Sequence, residues 1–220
     1  MDFPDNTRIY KHLSSEQQIR LIQLHAGTGD EPISISLAPV TLDDGPSYEA
    51  LSYVWGNAND RQIISCDGRD FAVTRNLYEA LHQFRLPDDD RTLWADAICI
   101  NQEDPDERAQ QVRIMHLIYK SCTRCLVWLG PSDEHSETAL EVVRDITNIV
   151  CKRLSISADE LDARLRITGR DPRQALDMGF TDLPGPESTK WGSLFHFLCR
   201  PWFSRIWVSP NASFSDIERD

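Results

Sequence analysis

A chain of 220 residues with 40% hydrophobic content can bury one substantial core, or one domain with a small appendage, without help from disulfides or metal. Its formal charge of -12 excludes a nucleic-acid groove, which needs clustered Lys and Arg to displace counterions from phosphates. The N-terminus lacks the apolar core of a signal peptide and no run of about 18 apolar residues follows, so a cytoplasmic protein without membrane contact is expected.

A polar leader, residues 1–18, precedes two short strands at Ile19 to Leu24 and Ile33 to Val40 that are placed to pair with each other across the turn-rich AGTGDEP. Ser47 to Gly56, SYEALSYVWG, is a stronger strand closed by an aromatic cluster and a glycine. Gln62 to Cys66 and Arg69 to Val73 flank Asp67-Gly68, the dipeptide favoured in a type I′ hairpin because both positions accept positive φ. Asn76 is placed to cap a helix with Glu79 as its capping-box partner, burying Leu77, Ala80, Leu81 and Phe84 before Pro87 stops it.

Leu93 to Ile100 is apolar on both faces, as a central strand covered on both sides should be. Asp104 then caps a helix with Pro105 in the first turn and Glu107 completing a capping box. Ala109, Val112, Met115, Ile118, Tyr119 and Cys122 form the expected apolar stripe of that helix, which ends near Ser121. Arg124 to Gly130, RCLVWLG, is a further strand, making a parallel strand–helix–strand unit. A helix follows from Ser136 to Leu154, then a short capped helix within Ser157 to Ile167, a loop from Thr168 to Lys190, and a helix from Trp191 to Cys199 running into a buried segment through Val208. The order describes an α/β domain over residues 19–208, with a β-hairpin inserted after its first parallel strand and a divergent polar tail at 209–220.

The chemistry-bearing residues gather at one sheet edge. Asp96 breaks an apolar strand, where it shares a face with Trp94, Ile98 and Ile100, so its carboxylate must find a partner or open onto a cavity. It reads as a ligand-binding carboxylate or, as readily, as a buried Asp fixing a neighbouring loop. Asn101 and Gln102 sit where the strand should end, the edge at which open α/β sheets bind ligands. Glu107 is explained by capping and is also a candidate catalytic or ribose-binding group. Gln110 and Gln111 add amides near a helix start suited to a phosphate. Tyr53 and Trp55, with Gly56 beside them, can stack on a planar ring or serve as core. Six cysteines at irregular positions act as small buried apolar residues, and the lone pair Cys122 and Cys125 lacks the second pair or spaced His of a zinc site.

SYEALSYVWG, the hairpin with NLYEALHQFR, LWADAICINQEDPDERAQQVRIMHLIY, RCLVWLG and RPWFSRIWV together resemble the fungal heterokaryon incompatibility (HET) domain, in the family's order and over roughly residues 19–208. The resemblance implies a role in non-self recognition and programmed cell death, with protein partners or self-association. The family in turn resembles Toll/interleukin-1 receptor (TIR) domains, flavodoxin-like α/β modules with a mostly parallel sheet that signal by self-association, some hydrolysing NAD. It thereby implies NAD as a possible substrate, with Tyr53, Trp55, Gly56, Asn101 and Gln102 lining one pocket, while Asp96 and Glu107, read from the residues themselves, are the candidate catalytic carboxylates. The family's Gln-Glu pair, expected just after Val208, is replaced by Ser209-Pro210-Asn211, so the domain is expected to be truncated. Three readings follow: a signalling module, an NAD-hydrolase-type enzyme, or an inactive fragment that interferes with full-length relatives.

Overall fold

The computed structural model describes residues 3–161, 163, 185 and 187–204. They fall in two compact units, one ending at Gly130 and the other beginning at Pro131.

The first unit is built on a seven-stranded sheet, β1 (Gln18–Leu24), β2 (Ser34–Thr41), β3 (Glu49–Tyr53), β4 (Arg61–Cys66), β5 (Arg69–Thr74), β6 (Arg91–Trp94) and β7 (Arg124–Trp128), in the order β5-β4-β2-β1-β6-β3-β7. The α/β expectation holds, but the sheet is mixed. β3 is parallel to both β6 and β7, and β2 to β4, whereas β1 is antiparallel to β2 and β6, and β4 to β5. The β4–β5 hairpin turns as read from Asp67-Gly68, with φ of 50° and 74°. Its two strands extend the sheet on the side away from β3.

Helices α1 (Arg75–Phe84), α2 (Asp96–Cys99) and α3 (Pro105–Ser121) complete the unit. The first departs from expectation at its cap: Thr74, not Asn76, accepts from the Leu77 amide. Asn76 lies inside the helix, where its carboxamide donates to Val54 O and accepts from Trp128 Nε1 at 2.9 Å, joining the carboxyl ends of β3 and β7. The buried stripe Leu77, Ala80, Leu81 and Phe84 is as read.

The largest correction lies at 93–100. β6 stops at Trp94, and Asp96–Cys99 form a single helical turn whose Ile98 and Cys99 amides return to Ala95 O at 3.0 and 2.8 Å. A short apolar run cannot distinguish a strand from a buried helical turn by periodicity, and burial of Ile98, Cys99 and Ile100 satisfies both. Asp96 therefore shares no strand face with Trp94.

The stripe expected of α3 is met at Ile118, which is buried, and at Met115, Tyr119 and Cys122, which pack on the core, but not at Ala109 and Val112, which are exposed. Gln111 and Ile118 are buried, Ile114 and Met115 are packed on the core, and Val112 is 55% exposed. Gln111 can take a core position because its amide donates to Gln18 O at 2.8 Å. Two tyrosines bind α3 to β3, Tyr48 Oη donating to Ile118 O at 2.6 Å and Tyr119 Oη to Leu51 O at 3.2 Å. Trp94, wholly buried, meets the Tyr119 ring edge-on at 5.5 Å.

The second unit holds α4 (Ser136–Leu154), as expected, and α5 (Lys190–Leu198), followed by a 3-10 turn at Pro201–Ser204. Arg200 donates to Asp133 and Ser136 at 2.8 Å each, and the His135 and His196 rings stack at 4.4 Å. Of the helix expected within Ser157 to Ile167, 158–161 are helical and Ser157 Oγ accepts from the Glu160 amide. Positions 162 and 164–167 of that span, most of the loop to Lys190, the segment 205–208 and the tail 209–220 lie outside the described residues.

Candidate functional site

The carboxyl end of β3 places Tyr53, Trp55 and Gly56 in succession. Tyr53 is buried, while Trp55 is 43% exposed. Gly56 has φ of 76°, and a Cβ there would approach the Asn76 Cβ to 3.2 Å, so both turn and space favour glycine.

Asp96 opens α2 directly across from this strand end. Its Oδ2 accepts from Trp55 Nε1 at 3.0 Å and its Oδ1 from the Ala97 amide at 2.9 Å. Burial first, and then the neighbouring Asp96 carboxylate, push the Tyr53 hydroxyl well above its ordinary value. Asp96 is thus a carboxylate with partners on both oxygens. As placed it orients Trp55.

Gln102 Nε2 donates to Asp96 O at 2.8 Å, fixing the segment after α2 against its first turn. Trp55, Ala97, Asn101 and Gln102 line a cleft of about 490 Å³ together with Asn6, Thr7 and Tyr10 of the leader. Ala72, Val73, Thr74 and Arg61 also line it. The exposed indole face, the carboxamides and the Arg61 guanidinium suit a small planar polar ligand or an inserted side chain.

Glu107 is not part of this cleft. Its carboxylate receives two bonds from Arg20, at 2.6 and 2.9 Å, and one from the Asn101 amide at 2.7 Å. Asp104 does cap α3, accepting from the Asp106 and Glu107 amides, but the Glu107 side chain does not return to Asp104 as a capping box would. The Asp104 carboxylate already occupies the α3 N-terminus, the place expected to suit a phosphate. Gln110 and Gln111 are turned instead to Ser15 O and Gln18 O.

The structure thus brings Tyr53, Trp55 and Asp96 into contact, sets Asn101 and Gln102 beside them, leaves Gly56 as the turn, and separates Glu107. Sequence reasoning missed Arg20, Asn6 and Tyr10. Arg20 carried the same signal as Asp96, a charge inside an apolar run, and is 2% exposed. Among the described residues no group of His, Cys, Asp and Glu could hold a metal, and all six cysteines are free.

Fold and cleft define a mixed-sheet α/β domain with an aromatic–carboxylate contact at the carboxyl ends of its parallel strands. The chain belongs to the heterokaryon incompatibility protein (HET) family, whose model matches residues 48–209. Heterokaryon incompatibility protein 6, OR allele, of Neurospora crassa is 30% identical over 217 aligned residues, covering 86% of this chain. The chain spans 31% of the length of that relative. No solved structure matches.

Proposed function

We propose that this chain is a signalling domain of heterokaryon incompatibility, acting in non-self recognition and cell death through self-association and contact with protein partners. Membership of the family, through a match that begins at Tyr48 and spans β3 to α5, carries this reading. The relative's printed name supports it. The described site is compatible with a recognition surface: an exposed tryptophan is held rigidly by a carboxylate at the rim of a cleft, the kind of anchor that protein contacts use. Among the described residues no helix is long and apolar enough to cross a membrane. Inducible expression in a filamentous fungus tests the proposal. Growth arrest that is lost on Trp55→Ala is expected, and normal growth with folded protein accumulating would overturn it.

A second reading, hydrolysis of NAD, is favoured by one observation: the cleft sets an exposed indole, a carboxylate and two carboxamides at the sheet edge where α/β folds bind ligands. It must proceed without Glu107, which Arg20 holds. NAD turnover that disappears in Asp96→Ala is the expected result for this reading, and no turnover by folded protein removes it.

A further inference from the structure

The leader is an arm seated in a groove, and the way it is seated bears on how two copies meet. β5 is an edge strand of the sheet. Its tight two-residue turn makes Cys66 and Arg69 a hydrogen-bonded pair, and the alternation of an antiparallel ladder then directs Phe71 and Val73 towards β4 and Ala72 outward. The outward peptide groups of Ala72 are occupied by one side chain: Asn6 Nδ2 donates to Ala72 O at 2.9 Å and the Ala72 amide donates to Asn6 Oδ1 at 3.0 Å. A carboxamide has the donor and acceptor of a peptide group, so Asn6 makes the two bonds that an added strand would make.

The remaining anchors are local. Tyr10 Oη donates to Ile98 O at 3.0 Å, and its ring lies edge-on to Phe71 at 6.3 Å. Arg69 donates to Arg8 O at 3.3 Å. Two recesses border the arm, the cleft of about 490 Å³ and one of about 470 Å³ lined by Asp5, Arg8 and Asp70 among others. Ile9 and Tyr10 also pack on the core, and Arg20 lies over the Tyr10 ring and donates to Lys11 O, so opening costs these contacts, and exchange between copies restores contacts of the same kind. Between Tyr10 and β1 runs a linker, residues 11–17, exposed or half-buried except for Leu13. Fully extended, it reaches about 25 Å.

We infer that the arm is exchangeable between copies, each arm occupying the Ala72 groove of the other. The inference rests on the self-association reading and supplies its interface. The occupant is a second copy of this chain because the arm's own fit in the groove is on view, and exchange repeats those contacts without requiring new complementarity. Charge points the same way. Two surfaces of a chain with net charge -12 repel, whereas arm residues 3–10 carry Asp5 and Arg8 and no net charge.

A fluorescein-labelled peptide of residues 3–11 tests this against two full-length chains, the wild type and Asn6→Ala, whose own arm is weakened and whose groove is intact. Binding at least tenfold tighter to Asn6→Ala than to wild type is expected, and it should vanish when the peptide carries the same substitution. Equal binding to both chains, or binding to neither, would overturn the inference. Light scattering on the wild type separates the two ideas. A dimer that excess unlabelled peptide dissolves is expected. A dimer that the peptide leaves intact overturns arm exchange while self-association stands, and a monomer at every concentration overturns both.

Discussion

Arg20 and Glu107 face each other in a two-point ion pair sealed from solvent, their side chains 2% and 10% exposed. Arg20 also donates to Cys99 O and Lys11 O and lies over the Tyr10 ring, so one guanidinium joins β1, the end of α2, the leader and α3. Because Glu107 also receives the Asn101 amide, the pair sets the position of the segment that carries Asn101 and Gln102.

Glu107→Ala should therefore lower unfolding free energy by about 3–5 kcal/mol, the cost of leaving a buried charge without its partner. Replacing both residues, Arg20→Met with Glu107→Leu, should cost less than the single change, since no uncompensated charge remains. Urea unfolding of the three proteins measures this. A Glu107→Ala protein as stable as wild type would show that the pair contributes little.

Glu49 contributes to the acid limb. Burial raises its carboxyl, but the hydrogen bonds and charges of Arg91 and Arg124 outweigh burial and hold it below its ordinary value of 4.5. A carboxylate depressed in the folded state stabilises at pH values above its unfolded value, and that stability fades as pH falls through the folded one. Urea midpoints between pH 7 and pH 3 should thus drop more steeply for the wild type than for Glu49→Gln, which begins lower. Parallel pH curves would rule out this linkage.

The cysteines should divide by reactivity. Burial, with Asp67 adding to it, pushes the Cys66 thiol up to about 12, and burial alone does most of the same for Cys99. At pH 8 a thiol at that value is thiolate in only about one molecule in ten thousand. Cys199 is exposed. Iodoacetamide followed by peptide mapping should label Cys199 in the native protein and reach Cys66 and Cys99 only after unfolding. Prompt labelling of either buried thiol would contradict the packing described.

The fold was legible in the sequence wherever local chemistry and tertiary packing agreed. Asp67-Gly68 specified its hairpin, and Ser136 to Leu154 its helix, because positive φ and a long apolar stripe leave few alternatives. The sequence misled where a residue's partner is remote. Asn76 resembled a cap, but tertiary bonds to Val54 and Trp128 draw it inside the helix. Glu107 resembled a capping-box residue, but a guanidinium arriving from β1 claims it. Asp96 stands out in the sequence as a carboxylate in an apolar run, and Trp55 as an aromatic at a strand end, yet their contact depends on a helical turn that apolar periodicity cannot separate from a strand. The leader's place in the cleft wall gave no pattern, since a single Asn–peptide exchange has no period.

Gly56 has a consequence for variation among chains of this design. The backbone there is turned by a residue that the Asn76 side chain crowds, and Val54 before it is bonded to the same Asn76. At the far end of the loop, Arg75 grips Asp60 at 2.8 Å. Residues 57–59 are thus suspended between two fixed posts, with Ala58 among the residues that line the cleft and the indole held separately by Asp96. The architecture separates a pinned strand end from a loop held only at its two ends, so the loop's sequence can change while the fold holds still.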